Sequence, residues 1–161
     1  MKLITPKDCD NAPKRRIIRD LNIAFAKGDV KALADQFHQD IEWEMVGDKP
    51  ISGFEAVVDY LEKIKSSKAD TLELKQILSH GKYAAASGIL SFKTEKIAFH
   101  DFYEFSSAGS SKIKKISSKK LTALDVINKG CKTTTWYRFS GQISKHTYYP
   151  YPYVKQAYPK D

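Results

Sequence analysis

The sequence predicts an α+β domain with helices packed on one face of a strongly curved antiparallel sheet. Three observations predict it. Apolar residues recur at helical spacing from Ile17 to Phe37 and again from Phe54 to Ile64. From Leu72 onward the apolar period falls to two, the spacing of half-buried strands. Only one strand-like stretch, Ile41 to Met45, precedes the third helical segment, so helices and strands are largely segregated along the chain.

Residues 1–10 read as a loose leader. Asp10 or Asn11 caps the first helix and Pro13 suits its first turn. Ile17, Leu21, Ala24 and Phe25, with Ile18 beside them, form its inner face, and Gly28 ends it. Asp29 starts a second helix carrying Val30, Leu33, Ala34 and Phe37, and His38-Gln39-Asp40 is the turn out of it. Ile41-Glu42-Trp43-Glu44-Met45 alternates apolar and acidic residues, with the acids on a solvated face. Ser52-Gly53-Phe54-Glu55 has the Ser-x-x-Glu pattern of a capping box, and the helix it opens turns Phe54, Val57, Val58, Leu61 and Ile64 inward. Leu72, Leu74 and Leu78 line one side of the next strand, and His80-Gly81-Lys82 is a tight turn. Tyr83 to Phe92 follows, with small residues from Ala84 to Gly88 that signal a bend or a close neighbour. Ile97 to Phe105, a Gly/Ser loop, and Lys112 to Leu124 complete four antiparallel strands. Residues 125–161 form an extension. Lys132 to Phe139 has strand composition, and the Tyr/Pro alternation from Tyr148 to Tyr153 favours an extended polyproline-like run.

Length and composition fit one globular domain of 161 residues. No stretch approaches the roughly 20 apolar residues of a membrane span, and the polar N-terminus has no apolar secretory core. Cys9 and Cys131 lack metal-ligand spacing and read as free thiols of a cytoplasmic protein. The net charge of +8 favours acidic partners in general. The lysines are scattered, however, and many at 112–120 fall at alternating strand positions, as on a solvated sheet face. Nucleic acid is the weakest partner reading, because the tail lacks clustered arginines.

The chemistry-bearing stretch is Ile97 to Phe105. As a strand it puts Ile97, Phe99, Asp101, Tyr103 and Phe105 on one face and His100, Phe102 and Glu104 on the other. A carboxylate among aromatics is costly to keep ionised without a partner. Asp101 is therefore either a structural group, paired with Lys120, Tyr103 or another hydroxyl, or an acid/base held at a raised pKa for chemistry. His100 points away from it, and His38, His80 and His146 lie in turns or the tail, so no metal site is expected. No phosphate loop, dinucleotide fingerprint or Ser/His/Asp order is present.

Four local signatures occur in order: Ala26-Lys27-Gly28-Asp29-Val30, His38-x-Asp40-Ile41-Glu42-Trp43, Ser52-Gly53-Phe54-Glu55-Ala56-Val57, and Asp101-Phe102-Tyr103-Glu104-Phe105 followed by Lys112-Ile113. Together they resemble the SnoaL-like branch of the nuclear transport factor 2-like superfamily over residues 11–124. The resemblance implies a cone-shaped fold of three N-terminal helices on the curved sheet, enclosing a pocket on the sheet's concave face. It implies a pocket lined by Leu21, Phe25, Trp43, Met45, Phe54, Phe99, Ile116, Ser118 and Lys120, with Tyr60 a further candidate. It also implies Asp101 as acid/base, Tyr103 as hydrogen-bond donor to a ligand, no cofactor, and a homodimer formed through the outer sheet face.

The superfamily hosts isomerases, cyclases, dehydratases, epoxide hydrolases and non-catalytic binders. The steroid-isomerase mechanism does not transfer, because its base column falls near Met45 and its oxyanion tyrosine column near Leu21. No Asp-Arg-Asp set like that of the epoxide hydrolases is present. The expected function is binding of an apolar or polyketide-like small molecule, with cofactor-free isomerase, cyclase or dehydratase activity. The rival expectation is a homo-oligomeric assembly module whose Tyr/Pro tail docks on a partner.

Overall fold

The structure, a computed structural model, describes residues 1–7, 12–122, 138–139 and 142–143. The chain divides into two compact units, Met1–Thr122 and Ala123–Asp161. The first contains β1 (Lys2–Ile4), α1 (Pro13–Lys27), α2 (Val30–Ala34), β2 (Phe37–Met45), β3 (Ile51–Ser52), α3 (Phe54–Ile64), β4 (Thr71–His80), β5 (Tyr83–Ser91), β6 (Lys96–Phe105) and β7 (Ile113–Thr122). The second contains an antiparallel pair, β8 (Arg138–Phe139) and β9 (Gln142–Ile143). The remainder of the 132–139 strand prediction, both cysteines, Asp10, Asn11 and the Tyr/Pro tail lie outside the described residues.

The seven strands of the first unit form one sheet in the order β1-β4-β5-β6-β7-β2-β3. Strands β4 to β7 are antiparallel neighbours, as the period-two patterning predicts. The sheet as a whole is mixed, because β2 joins β7 in parallel and β1 joins β4 in parallel. Residues 2–4, read from sequence as part of a loose leader, are instead an edge strand. Three residues without periodicity carry no strand signal; the free edge of β4 supplies the partner, and Lys2 N–H donates to the Asp70 carbonyl at 2.7 Å.

The helices form for the expected reasons, with different caps. Ala12 is the N-cap of α1 and makes no side-chain cap bond; Pro13 occupies the first turn. Asp29 caps α2 as expected, its side chain accepting from the Ala32 N–H at 3.0 Å. Ser52 does not cap α3. It is the last residue of β3, and Gly53 is the N-cap at φ 94°. Gly28, at φ 68°, closes α1 in the left-handed conformation, where a side chain would also collide with the Lys65 carbonyl.

Three bulges re-aim the strands. Lys75 is an extra residue in β4, so the buried series runs Leu72, Leu74, Ile77. Leu78, expected inside with Leu72 and Leu74, is therefore 65% exposed. Lys114 is the extra residue in β7, which keeps both Ile113 and Ile116 buried. His38-Gln39-Asp40, expected as a turn, is the irregular first part of β2, with register shifting between Phe37 and Glu42. Gly88 is the close neighbour that the small residues of β5 signal. A Cβ there would lie 2.7 Å from Phe99 Cζ and closer still to the Glu73 carbonyl.

The core of the first unit lies between the helices and the concave sheet face. Its fully buried members include Ile18 of α1, Ile41 of β2, Val57 and Leu61 of α3, and Phe105 of β6. Lys14 Nζ sits 4.5 Å over the Phe105 ring and donates to the Ala108 and Ser110 carbonyls at 2.6 and 3.0 Å. It ties the loop after β6 to the start of α1. No helix among the described residues is long and apolar enough to cross a membrane.

Candidate functional site

Asp101 lies on β6 with Phe99 and Tyr103 on the same concave face, because all three share strand parity. Phe99 and Tyr103 are buried, and Asp101 is half-buried against a cavity of about 420 Å³. Leu21 and Phe25 of α1, Trp43 and Met45 of β2, and Ile116, Ser118 and Lys120 of β7 line the same cavity. Tyr60 of α3 lines it as well, packing edge-on against Trp43 at 6.0 Å, and Phe25 packs on Trp43 at 5.9 Å. Phe54 does not line the cavity. As the first residue of α3 it packs against the core about 1.7 turns before Tyr60.

Asp101 is held by hydroxyls rather than by a lysine. Tyr103 Oη donates to Asp101 Oδ2 at 3.0 Å. Ser118 is the residue directly across from Asp101 on β7, and its hydroxyl pulls the carboxyl pKa down. Lys120 lies opposite Phe99 and acts on Asp101 through its charge; no ion pair joins the two among the described residues. The Tyr103 proton is given to Asp101, one of the hydroxyl pairings that the sequence leaves open.

Asn22 is the residue that the sequence reading missed. It is 7% exposed on α1, and its Nδ2 donates to the Ile18 carbonyl at 2.8 Å and to Tyr103 Oη at 3.1 Å. The available signal was its position one turn after Ile18, inside the apolar stripe of α1. On the other side of the carboxylate, Trp43 Nε1 donates to Ser118 Oγ at 3.0 Å.

Burial pushes the Asp101 carboxyl up to about 6 from its ordinary 3.8, against hydrogen bonds from Ser118 and Tyr103 and the charges of Lys120 and His100, which pull it down. Burial, together with the adjacent Asp101 charge, pushes the Tyr103 hydroxyl well above its usual value. His100 lies on the exposed outer face of β6, as its parity requires. The described residues contain no group of three potential metal ligands.

A carboxyl poised near neutrality on the wall of a mainly apolar cavity is equipped to exchange a proton with a ligand. The opposite face of the sheet is chemically different. Leu78, Tyr83 and Phe102 are 65%, 54% and 67% exposed there, and Ala85 joins Leu78 to Phe102 in register.

Comparison with known proteins addresses the fold and the family. The family model of the SnoaL-like domain matches residues 18–116, more than half of the chain. An NTF2-like protein of unknown function from Burkholderia xenovorans LB400 is 18% identical, with 66% of this chain and 81% of that one covered at a TM-score of 0.57. The epoxide hydrolase/cyclase-like enzyme SalBIII, with a role in pyran ring formation in the polyether salinomycin, is 18% identical. There 72% of this chain and 95% of that one are covered, at a TM-score of 0.56. A de novo designed protein with a curved β-sheet is 17% identical over 66% of this chain and 83% of its own, at a TM-score of 0.56. At these identities the likeness speaks for the fold alone. No curated protein matches the sequence.

Proposed function

The chain belongs to the SnoaL-like domain family, and from that premise we propose that its cavity binds an apolar or polyketide-like small molecule and acts on it without a cofactor. The reaction class is isomerisation, cyclisation or dehydration, with Asp101 exchanging the proton. One observation carries the reading: a half-buried carboxyl, raised to about 6, stands on the wall of a cavity whose other walls are mainly aromatic and aliphatic. The cyclase-like activity of SalBIII is consistent with it. Tyr103 orients the carboxyl, and the ligand's apolar body rests on Phe25, Trp43 and Tyr60.

The test uses 2-methoxynaphthalene, a neutral bicyclic probe, followed by the anisotropy of its own emission. Met45→Trp fills the cavity and is expected to weaken binding at least about tenfold, the loss of one well-formed apolar contact surface. Equal binding by the two proteins would place the probe elsewhere and contradict the reading.

A second reading, homodimerisation through the outer sheet face, is supported by the exposed Leu78 and Phe102, joined in register through the half-buried Ala85, with the exposed Tyr83 beside them. Exposed apolar patches of this kind mark association surfaces. A charge within the patch, Phe102→Lys, is expected to convert a dimer into a monomer of unchanged fold by light scattering and circular dichroism. An unchanged mass for the variant would remove this face from the assembly. The two readings are compatible, since they use opposite faces of the sheet. A docking role for the Tyr/Pro tail concerns residues outside those described.

A further inference from the structure

The hydrogen bonds around Asp101 have a direction that the side chains themselves determine. The Ile18 carbonyl only accepts, so the end of Asn22 that faces it at 2.8 Å is the amino end. The same nitrogen reaches Tyr103 Oη at 3.1 Å, so the tyrosine oxygen accepts there. Its single proton then goes to Asp101 Oδ2 at 3.0 Å. On the other side, the indole nitrogen of Trp43 only donates, so Ser118 Oγ accepts from it at 3.0 Å. The serine proton is thereby left for Asp101, its cross-strand partner. One chain of donors, Asn22 to Tyr103, ends on the carboxylate, and a second, Trp43 to Ser118, stands directly across from it with its serine proton uncommitted.

From this convergence we infer that the cavity selects ligands that offer a hydrogen-bond donor to Asp101, such as a phenol, an enol or a ring hydroxyl set on an apolar body. The protein side of the carboxyl receives only donors, so the oxygen lone pairs left over are those that face the cavity it lines. A ligand acceptor placed there meets no proton unless Asp101 is first protonated on its cavity-facing oxygen. Above its midpoint Asp101 enters a reaction at this site as proton acceptor. Trp43 and Asn22 are positioning residues, which act on the ligand through Ser118 and Tyr103.

The charged and titratable groups around the carboxyl are few. Tyr103 on β6, Lys120 on β7, and Tyr60 and Lys65 at the end of the α3 region line the same cavity, with Glu95 in the loop between β5 and β6. Helix α1 contributes the neutral Asn22. His100 is the adjacent histidine, and it lies on the opposite face of β6. A His100→Gln background removes it from the pH response.

The inference rests on the reading of the cavity as a ligand site, and the experiment separates the two. Binding of 2-naphthol and of its methyl ether, 2-methoxynaphthalene, is compared on the full chain by emission anisotropy at pH 8 and pH 5. Phe102→Ser is included in the background, so that the apolar outer face offers no second site. The expected result is a preference for 2-naphthol of at least about fivefold at pH 8, the scale of a hydrogen bond to a charged acceptor. That preference is expected to disappear at pH 5 and in Asp101→Leu. Trp43→Phe, in which Ser118 is free to turn its proton elsewhere, is expected to reduce it. Equal binding of the two probes at pH 8, or a preference that survives at pH 5, overturns the inference while leaving the cavity reading intact. Failure of both probes to bind overturns the two together. The pH comparison needs no variant at the carboxyl or its hydrogen-bond partners to fold.

Discussion

Asp101→Asn is expected to raise the thermal midpoint by several degrees at pH 7.5 and to lose that advantage by pH 4. The folded carboxyl titrates near 6 and its ordinary value is 3.8, with burial as the main cause. Between those values the folded state binds more protons than the unfolded state. Stability attributable to this group is therefore present below about pH 4 and falls as pH rises through 6. The displacement corresponds to about 3 kcal/mol of cost for the ionised form at neutral pH. Asparagine removes that cost and keeps one acceptor oxygen, at the loss of one hydrogen bond worth about 1 kcal/mol. The net gain of about 2 kcal/mol moves the midpoint by roughly 4–8 °C for a domain of this size. Asp101→Leu should be less stable than Asp101→Asn, because it strands the Tyr103 and Ser118 protons. Calorimetric scans at the two pH values check the sign. A variant less stable than wild type at both would mean that the hydrogen bonds outweigh the burial cost.

The second large effect is expected from Gly88→Ala. The added methyl would sit 2.7 Å from the tip of the Phe99 ring and against the Glu73 carbonyl, and neither β4 nor β6 can move independently of β5. Overpacking of this kind costs about 1–3 kcal/mol, or a midpoint lower by roughly 2–12 °C. Phe99 also lines the cavity, so the displaced ring is expected to weaken 2-methoxynaphthalene binding in the same variant. Loss of stability with unchanged binding would show that the ring yields away from the cavity. Unchanged stability would contradict the packing described for β5.

What the sequence made legible follows from which signals are local. Asp101, Phe99 and Tyr103 are placed on one face by parity alone, and parity survives as long as the strand is regular, as β6 is over those residues. Leu78 shows the limit. The bulge at Lys75 leaves no mark in the apolar pattern, so Leu78 reads as inward and stands outward. The cap of α3 shows another. Ser52 and Glu55 have capping-box spacing, but β3 takes Ser52 into a pairing with Glu42, and Gly53 becomes the cap. The edge strand at residues 2–4 is chosen by the free side of β4, which three residues cannot announce.

The polar network was half legible. The Asp101–Tyr103 contact joins residues two apart on one strand. The Asn22–Tyr103 contact joins α1 to β6 across 81 positions and depends on how the helix packs. Trp43 and Ser118 likewise come together because β2 pairs with β7 in parallel, a neighbourhood set by topology rather than by either segment. The partner of Tyr103 on α1, Asn22, is the one that its own strand does not reveal.

The most direct test of the central claim is the titration of the Asp101 carboxyl carbon in the full chain, followed by its ¹³C chemical shift from pH 3 to pH 9 with Asp101→Asn for assignment. A carboxyl that is desolvated at the cavity and held by donated protons titrates at about 6. A midpoint at or below the ordinary 3.8 would contradict the account. It would make Asp101 a fully compensated structural group and leave the cavity without its acid/base.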